Sequence, residues 1–559
     1  MNTIHVLDCT LRDGGYCNQW KFGFDNTKKI TKNLVDANVD IIECGFLTNR
    51  VVYDQDVTKF ATLEQLAEVI PADRKGKLFV AMMNYGEYNM EDLPEHDGTS
   101  IDGIRVAFHK KDLNQALELC RQIQAKGYLV FVQAMVSLAY TDEEFLALIK
   151  TVNEIAPYAF YIVDSFGMMK TKNLIRLFYM VENNLSDGIW IGFHSHNNMQ
   201  LAYSNAQSLV DAQTNRNLII DSSIYGMGRG AGNLNTELFV EYLNENAYGQ
   251  YNLKPLLNVI DEILNDFYQM NYWGYSLPNY VSAVHWTHPN YAGYLSDKHT
   301  LTVEAMDEIF AMMPQEKRFE FDKEYIEALY VKYMASGDAQ GKHLTELKER
   351  LVGKKVFLIA PGKSASDEAD KIAQFAAGPD VVTMGVNFEY PNCRTDWIFL
   401  SNMRRFRELP AEKQSKCIVT SNISTDGAYI KANYFDLLVP YEAVRDNAGL
   451  MAINFLKSLG MQQVYLAGFD GYSHDSQQNY ALHSMDYAMK NAIADAMNTG
   501  MVEALKTFNQ EMKITWVTTP RFVNIGANVE ENTMQENREM TENSDTGNTA
   551  RKSGEISLN

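Results

Sequence analysis

The sequence is poor in cysteine and has no long apolar run. Its six cysteines form no CxxC pair, so we expect reduced, mostly buried thiols and neither a disulfide framework nor a zinc knuckle. No apolar stretch approaches the roughly 20 residues of a membrane-spanning helix. Asp8, Arg12 and Asp13 occupy the region where a secretory signal would need its apolar segment, so we expect a cytoplasmic protein.

Positive charge is also scarce. Fifty Lys and Arg residues stand against 71 Asp and Glu, for a net charge of -21, and the basic residues are scattered. Such a field repels phosphate backbones and anionic lipid, which argues against nucleic acid or a membrane surface as a partner. Hydrophobic residues make up 46% of the 559 residues, so the chain is an ordinary globular one, long enough for two or three domains. We expect a homo-oligomer.

Short β-branched runs alternate with segments of helical period along the first half of the chain, as in a parallel sheet with helices packed outside it. Eight such units in about 250 residues match a closed (β/α)8 barrel, whereas a doubly wound open sheet usually stops at five or six strands. We therefore predict a TIM barrel over residues 1–250, with the third connection the least clear. Its predicted strands are Thr3–Asp8, Val39–Phe46, Lys77–Met82, Gly103–Ala107, Leu129–Ala134, Phe160–Asp164, Ile189–His194 and Leu218–Ile224.

The remainder divides into four segments. Residues 251–337 predict a helical, aromatic appendage near the barrel mouth, with a turn-rich insertion at His285–Tyr294, and residues 338–353 a linker ending in the charged helix Glu346–Leu351. Residues 354–525 predict a second, doubly wound, Rossmann-like α/β domain, and the polar residues 526–559 a disordered tail. The strands predicted for the second domain are Lys355–Ala360, Asp380–Gly385, Asp396–Leu400, Lys416–Thr420, Asp436–Val439 and Gln463–Gly468.

Polar residues follow the first and seventh predicted barrel strands, at the end where such barrels carry their active sites. The first strand leads into Arg12 and Asp13 and then a glycine pair. The seventh ends in His194 and His196, which point the same way because successive strand side chains alternate faces. Taken alone, an HxH pair is more often structural and an Arg-Asp pair is usually a surface ion pair.

A glycine-rich loop after the eighth strand supplies the third motif. Gly228 and Gly230 let the backbone approach a ligand closely, and Asn233 offers an amide oxygen. Two imidazoles, a carboxylate and an amide oxygen suit a divalent cation: Mn²⁺ or Mg²⁺ first, with Co²⁺ or Zn²⁺ as alternatives. Strands 1, 7 and 8 become neighbours when the barrel closes, so the three motifs together predict a metal site that none of them predicts alone.

Two segments carry a family resemblance: Asp8-Cys9-Thr10-Leu11-Arg12-Asp13-Gly14 and His194-Ser195-His196-Asn197. Over roughly residues 1–290 the chain resembles the DRE-TIM metallolyases, which include 4-hydroxy-2-oxovalerate aldolase, hydroxymethylglutaryl-CoA lyase and isopropylmalate synthase. The resemblance implies a metal-bound enolate, with Asp13, His194 and His196 as metal ligands, Asn233 as an additional ligand and Arg12 as the cation that stabilises the enolate.

Within that superfamily, the segment Asp164–Met168 is more similar to the aldolase branch, which implies that Ser165 contacts a 2-oxoacid and that pyruvate is the enolate partner. The predicted substrate-binding set is Ser165, Glu43, Gly228 and Gly230, with Glu43 expected to orient Arg12 or a ligand.

The catalytic base is the point at which the sequence departs from the aldolase pattern. The aldolase carries a histidine shortly after its Arg-Asp pair, and this chain has Tyr16 there, which ionises poorly near neutral pH. His285 and His288 are chemically better candidates if the appendage folds over the mouth, although a histidine in an aromatic helix is more often a packed residue.

We therefore predict a divalent-metal aldolase acting on a 4-hydroxy-2-oxoacid through a pyruvate enolate. One alternative is a Claisen-type synthase, which would release free thiol from an acyl-CoA. Another is a non-catalytic binding scaffold, which would bind metal without turnover.

The second domain offers a weaker motif. Pro361-Gly362-Lys363-Ser364 follows a strand and invites an anion site, but the first glycine of a Walker A loop is missing and a plain strand-to-helix turn explains it equally well. The stretch 449–470 is loosely similar to Rossmann-like domains of bacterial sialyltransferases and MptE-like pterin pyrophosphokinases. That likeness implies a nucleotide or sugar-nucleotide site at Gly362, Lys363, Ser364 and Asp470, and a role in making a surface glycan precursor.

Overall fold

The computed structural model describes residues 3–212, 214–246, 249–298, 301–334, 341–423, 425, 427–485 and 489–520. The chain forms two compact units, Met1–Ile326 and Glu327–Asn559. The predicted tail 526–559 and residues 338–340 of the predicted linker lie outside the described residues, and the finer domain boundaries stay predictions. Among the described helices, none combines the length and the apolar character needed to cross a membrane.

The first unit contains a closed barrel of eight parallel strands with helices outside it, as predicted. Closure is visible in the pairing, because the first strand pairs with the second, Leu7 opposite Ile41, and also with the eighth, Ile4 opposite Leu218. A two-residue strand, Lys59–Phe60, adds to the second strand. The barrel strands are Ile4–Asp8, Ile41–Leu47, Leu78–Asn84, Gly103–Phe108, Leu129–Ala134, Ala159–Asp164, Trp190–Ser195 and Leu218–Ser222.

Helices follow every barrel strand except the third, whose connection carries only the 3₁₀ turn Met90–Asp92 among the described residues. Thr141 begins one of the helices with a capping box, in which its side chain and that of Glu144 each bond the other's backbone amide. The helices around the barrel are Thr10–Asp13, Gly15–Asn18, Phe24–Asp36, Leu63–Ala67, Leu113–Ala125, Asp142–Ile155, Thr171–Asn184, Ala202–Val210 and Thr236–Glu245.

Alternation along the strands divides the core in two and prepares the site. Outward side chains pack under the helices, and inward ones such as Leu7, Phe131 and Ile219 fill the barrel. Farther along the same inward faces, toward the carboxyl ends of the strands, the buried residues become polar: Glu43, Arg105, Gln133, His194 and Asp221. The barrel therefore holds a charged layer above an apolar one.

The appendage is helical, as predicted. The insertion predicted at His285–Tyr294 is wrong, because most of this segment belongs to a helix and not to turns. Residues around His285–Tyr294 end one helix and begin the next, because His288 caps the amide of Asn290 and Pro289 suits the first helical turn. The helices of the appendage are Leu253–Val259, Ile260–Leu264 (a π-helical turn), Asn265–Met270, Leu277–Val284, Pro289–Ser296, Val303–Ala311 and Lys323–Met334, with a 3₁₀ turn at Gln315–Lys317.

The second unit contains a seven-stranded parallel sheet, which confirms the predicted second α/β domain. Its first strand in the chain, Lys355–Ile359, lies between Val381–Val386 and Gln463–Ala467, so the strand order reverses there. The predicted strand Asp436–Val439 is wrong: the chain forms a 3₁₀ turn at Phe435–Leu437, and Ile430–Ala432 takes the edge of the sheet instead. The other strands are Trp397–Leu400, Cys417–Thr420 and the unpredicted Lys513–Trp516.

Helices flank this second sheet. The segment predicted as linker is helical over Gly341–Leu351, and the long helix Asn491–Glu511 precedes the last strand. The helices of the second unit are Gly341–Leu351, Ser364–Asp367, Ala369–Ala376, Met403–Arg407, Ala448–Ser458 and Asn491–Glu511.

Candidate active site

Asp13, His194 and His196 meet at the carboxyl end of the barrel. Asp13 ends the short helix after the first strand, and the histidines lie at the end of the seventh strand. One potential ligand atom from each residue lies within 4.8 Å of the others, and all three side chains are buried. The structure thus assembles the three residues that the sequence pattern predicts as metal ligands.

The chemistry of these groups fits a divalent cation. Burial lowers the pKa of His196 to about 3, so its imidazole is neutral and keeps a lone pair for a metal. Burial alone would raise the pKa of Asp13, but the adjacent Arg12 guanidinium holds it well below its usual range, so the carboxylate is ionised. His196 Nδ1 is buried without a hydrogen-bond partner among the described residues. A buried ring nitrogen left unpaired is costly in a folded protein unless it binds something.

Asn233 lies beside this group, brought there by a backbone bridge to His196. Its Nδ2 donates to Asp13 Oδ2 over 2.9 Å, and its Oδ1 is buried with no partner in the described structure. Gly228 makes the approach possible, since a Cβ there would stand 2.3 Å from Asn233 Nδ2 and 2.7 Å from Asp13 Oδ2. Gly230, in the left-handed region at φ +67, packs against Asn198. The loop therefore brings the Asn233 amide beside the predicted metal ligands, with its oxygen unpaired among the described residues.

Arg12 is fixed by two carboxylates. Its Nε donates to Glu43 Oε2 over 2.9 Å and its Nη1 to Asp13 Oδ1 over 2.5 Å. Nη2 is buried and has no hydrogen-bond acceptor among the described residues. Arg12 thus keeps one N–H group free beside the predicted metal ligands, as a cation for developing negative charge requires.

Two residues that sequence reasoning missed extend this network. Asp221 accepts a hydrogen bond from His194 Nδ1 over 2.9 Å, and Arg105 bonds Asp221 while lying 2.8 Å from Glu43. A carboxylate only accepts hydrogen bonds when ionised, so His194 carries its proton on Nδ1 and presents Nε2 to a metal. The signal was available, because Arg105 and Asp221 are charged residues at inward positions of otherwise apolar strands.

Three carboxylates and three guanidinium groups meet at this end of the barrel. The side chains of Asp13, Glu43, Asp221, Arg12 and Arg105 are all buried. Arg229 adds the third guanidinium, and its positive charge helps to lower the pKa of Asp13. A divalent ion would therefore leave the site positively charged and able to receive an anion.

Ser165 and Tyr16 both contact Arg229, whose backbone amide lies 3.4 Å from Asp13 Oδ2. Ser165 Oγ accepts from the Val136 amide over 2.9 Å, which leaves its own hydrogen for another acceptor. Arg229 Nη2 donates to the Ser165 carbonyl over 2.8 Å, and its guanidinium lies 5.4 Å from the ring of Tyr16. Tyr16 is 41% exposed, and no described contact joins its hydroxyl to the predicted metal ligands.

Of the two candidate histidines in the appendage, His288 lies near the predicted site and His285 lies away from it. His288 packs against Phe166, and burial, Arg229, His109 and His196 together lower its pKa well below its usual value. His285 instead bonds Asp307 over 2.7 Å, and no described contact joins it to the barrel mouth.

His109, which sequence reasoning also missed, follows the fourth barrel strand at an inward position. Burial lowers its pKa, and Arg229 acts in the same direction. Both His109 and His288 are therefore neutral near pH 7. A histidine immediately after a barrel strand is the signal that could have identified it.

The four residues predicted for the second unit follow the carboxyl ends of two neighbouring interior strands, Lys355–Ile359 and Gln463–Ala467. Asp470 accepts from the amide and the hydroxyl of Ser364, each over 2.5 Å, and Gly362 lies against Gly468 and Asp470. Lys363 Nζ is 3.7 Å from Asp367. Because the Asp470 carboxylate already binds the Ser364 amide, that amide is not free for a phosphate. The anion or nucleotide site stays a prediction.

Comparison with known proteins agrees with the barrel. Residues 3–263 match the HMGL-like family. Among curated relatives, a 4-hydroxy-2-oxovalerate aldolase from Geobacillus genomosp. 3 is 26% identical over 250 residues, covering 43% of this chain and 70% of the relative. An oxaloacetate decarboxylase from Mycobacterium tuberculosis is 25% identical over 245 residues, covering 44% and 70%.

A solved structure is also similar. The N-terminal domain of a candidate aldolase from Bacteroides vulgatus is 26% identical, with a TM-score of 0.46, and covers 55% of this chain and 100% of that one. The match of residues 3–263 to the HMGL-like family agrees with the DRE-TIM resemblance seen in the sequence. The family match and the curated relatives support metal-dependent lyase chemistry in general.

Proposed function

We propose that the first unit is a divalent-metal aldolase that cleaves or forms the C3–C4 bond of a 4-hydroxy-2-oxoacid, with pyruvate as one product. The observation that carries this proposal is the group of Asp13, His194 and His196, whose potential ligand atoms lie within 4.8 Å of one another, with Arg12 bonded to Asp13. Manganese or magnesium suits these oxygen and imidazole donors.

The chemistry of the relatives supports pyruvate as the shared product. Cleaving C3–C4 of 4-hydroxy-2-oxovalerate gives pyruvate and an aldehyde, and cleaving the corresponding bond of oxaloacetate gives pyruvate and carbon dioxide. Both reactions leave an electron pair on C3, which is the enolate of pyruvate. When bound, a divalent cation would supply a Lewis acid for the 2-oxo and carboxylate oxygens.

Arg12 and Ser165 then have distinct tasks. Arg12 offers its unpaired Nη2–H to the oxygen on which enolate charge develops, inside a buried setting where such a hydrogen bond is strong. Ser165 can donate its hydroxyl hydrogen to the substrate carboxylate, since Oγ already accepts from Val136. Glu43 keeps Arg12 in place through the bond to Nε.

The proton of the 4-hydroxyl group needs an acceptor at the barrel mouth, and we assign the role of this base to His109. His288 Nδ1 accepts from the Asn290 amide over 3.2 Å, so the neutral ring carries its proton on Nε2 and acts as a donor. The imidazole of His109 makes no described hydrogen bond, so its lone pair is available, and its lowered pKa keeps it neutral. His285 and Tyr16 are the less suitable candidates from the contacts described above.

The test is pyruvate release from a panel of 4-hydroxy-2-oxoacids by metal-stripped full-length protein, with and without Mn²⁺. We expect Mn²⁺-dependent release that Asp13→Asn and His194→Ala both abolish. His96→Ala is the matched control, because His96 lies in the connection between the third and fourth strands. Its backbone amide, which the substitution keeps, donates to the Lys126 carbonyl at the opposite end of the barrel. Thiol release from an acyl-CoA and a 2-oxoacid would support the Claisen synthase instead, and metal binding without either activity would support a scaffold.

The wider role is a looser proposal. Cytoplasmic location, assembly into a homo-oligomer, a sugar-nucleotide ligand in the second unit and a place in surface glycan precursor metabolism stay predictions from composition and from the loose resemblance of residues 354–480.

A further inference from the structure

Arg229 is a cation at the barrel mouth without an acidic partner among the described residues. Its Nη2 donates to the Ser165 carbonyl, its guanidinium contacts the Tyr16 ring, and its Nε is buried with no hydrogen bond. By contrast, Arg12 and Arg105 are each paired with two carboxylates. Arg229 therefore keeps most of its hydrogen-bonding capacity unused.

The surroundings place this guanidinium between the predicted metal ligands and the appendage. The Arg229 amide is 3.4 Å from Asp13 Oδ2, and Ser165 and Tyr16 follow the sixth and first strands. The positive charge of Arg229 also lowers the pKa of His109 and of His288. A substrate held by its 2-oxo end at the predicted metal ligands would therefore have the Arg229 guanidinium among its neighbours.

In the part of the chain that the structure describes, no carboxylate forms an ion pair with the Arg229 guanidinium. Glu320, which acts electrostatically on His109, is held by Lys111 over 2.6 Å, and Asp13 is bonded to Arg12. His109 and His288 are uncharged near pH 7. A guanidinium in such a setting binds carboxylate or phosphate oxygens, often through two parallel hydrogen bonds.

We propose that Arg229 binds an anionic group, a carboxylate or a phosphate, on the half of the substrate that leaves as the carbonyl product. The inference rests on the proposed function and adds the substrate class, 4-hydroxy-2-oxoacids with negative charge at or beyond C5. In cleavage the C4 hydroxyl proton passes to the base, C4 becomes a carbonyl carbon, and the C3–C4 electron pair stays on C3 as the enolate. The anionic group takes no part in these bond changes and serves binding and orientation.

The experiment compares substrates that differ only at C5. Metal-loaded wild type should show a kcat/KM for 4-hydroxy-2-oxoglutarate, with a C5 carboxylate, roughly 10- to 100-fold above that for 4-hydroxy-2-oxovalerate, with a C5 methyl group. The 5-phosphate of 4-hydroxy-2-oxovalerate forms a third arm and distinguishes phosphate from carboxylate. Arg229→Gln can still donate to the Ser165 carbonyl. It should bring the preference, which is the ratio of kcat/KM for the anionic substrate to that for 4-hydroxy-2-oxovalerate, close to one. Arg229→Lys should retain part of this preference.

The control is Arg121→Gln, which removes one positive charge from an exposed helix and should keep the wild-type preference. A wild-type preference near one for both anionic substrates, or a preference that Arg229→Gln leaves intact, would overturn the proposal. If no substrate is cleaved, the proposed function fails, and calorimetry on metal-loaded protein still decides the role of Arg229. Tighter binding of 2-oxoglutarate than of 2-oxopentanoate that depends on Arg229 would support it, and equal binding would refute it.

Discussion

Asp221 fixes the ring of His194, a predicted metal ligand, through one hydrogen bond. It accepts from His194 Nδ1 over 2.9 Å, and Arg105 holds its pKa low although burial would raise it. Asp221→Asn removes the negative charge that fixes the ring and its tautomer, so we expect Mn²⁺ affinity to fall about 10- to 100-fold. Titration calorimetry of metal-stripped protein measures this directly.

Two further variants separate this effect from a loss of folding. Asp187→Asn changes an exposed carboxylate near the seventh strand and should leave metal affinity unchanged. Asp221→Glu keeps the charge that pairs with Arg105 and should fold where the asparagine variant is destabilised by a buried guanidinium that retains only Glu43 as a partner. Wild-type Mn²⁺ affinity in a folded Asp221→Asn protein would contradict the assigned role.

The pH dependence of the reaction should follow the protonation of His109, the proposed base. A base must be neutral, so activity is lost as pH falls through its pKa, and burial places that pKa below the ordinary 6.5. We expect kcat/KM for cleavage to stay level from pH 8 to about 6.5 and to decline only below it. His109→Gln should lower kcat by roughly 10²- to 10⁴-fold and remove this acid limb.

The pH profile distinguishes His109 from its neighbour. His288→Gln keeps a donor at the mouth and should preserve the acid limb even where the rate falls. An acid limb that survives in His109→Gln and disappears in His288→Gln would reassign the base to His288.

At the scale of elements, the loop after the eighth strand is built around close contacts that only glycine permits. A Cβ at Gly228 would lie 2.3 Å from Asn233 Nδ2 and 2.7 Å from Asp13 Oδ2, so both side chains would have to move. We expect Gly228→Ala to weaken Mn²⁺ binding at least tenfold while circular dichroism stays that of a folded barrel. Gly293→Ala is the control: it has open space in a helix and should stabilise by about 0.5–1 kcal/mol. Unchanged metal affinity in Gly228→Ala would count against the loop's role.

The elements that were predictable are those whose local signal agrees with their tertiary setting. All eight barrel strands combine β-branched residues with burial on both faces, so their positions follow from the sequence. The edge strand of the second sheet does not follow from the sequence. Asp436–Val439 has a strand-like composition, but the chain turns at Phe435–Leu437. The true edge strand, Ile430–Ala432, has three residues and is too short to identify. Strand pairing, which the sequence does not state, decides such cases.

The candidate site shows the same division. His194, His196 and Asp13 were predictable because they stand in short motifs at the ends of strands. Arg105 and Asp221 stand alone within apolar strands, and their pairing across the barrel joins residues 116 apart in sequence. Likewise, only the packing of the appendage shows that His288 reaches the mouth and His285 does not.

At the scale of the whole molecule, the two units have separate hydrophobic cores. The barrel packs around residues such as Leu7 and Phe131, and the second unit around Phe357, Ile359 and Ala467. A ligand that binds only the folded form of one unit stabilises that unit by mass action. Metal should therefore affect the thermal unfolding of the two units unequally.

We expect calorimetry of the metal-stripped full-length chain to resolve two unfolding transitions, of which added Mn²⁺ raises only one. At a free Mn²⁺ concentration one hundred times Kd, the stabilisation of that transition is about 2.7 kcal/mol. In Asp13→Asn, added Mn²⁺ should raise neither unfolding temperature, because the predicted site then lacks its carboxylate ligand. Thr141→Ala removes a capping box from a barrel helix. It should lower the free energy of unfolding of the same transition by about 1 kcal/mol and so identify that transition as the barrel. A metal shift in the other transition would place the metal in the second unit, and a single transition that moves as a whole would show that the units unfold together.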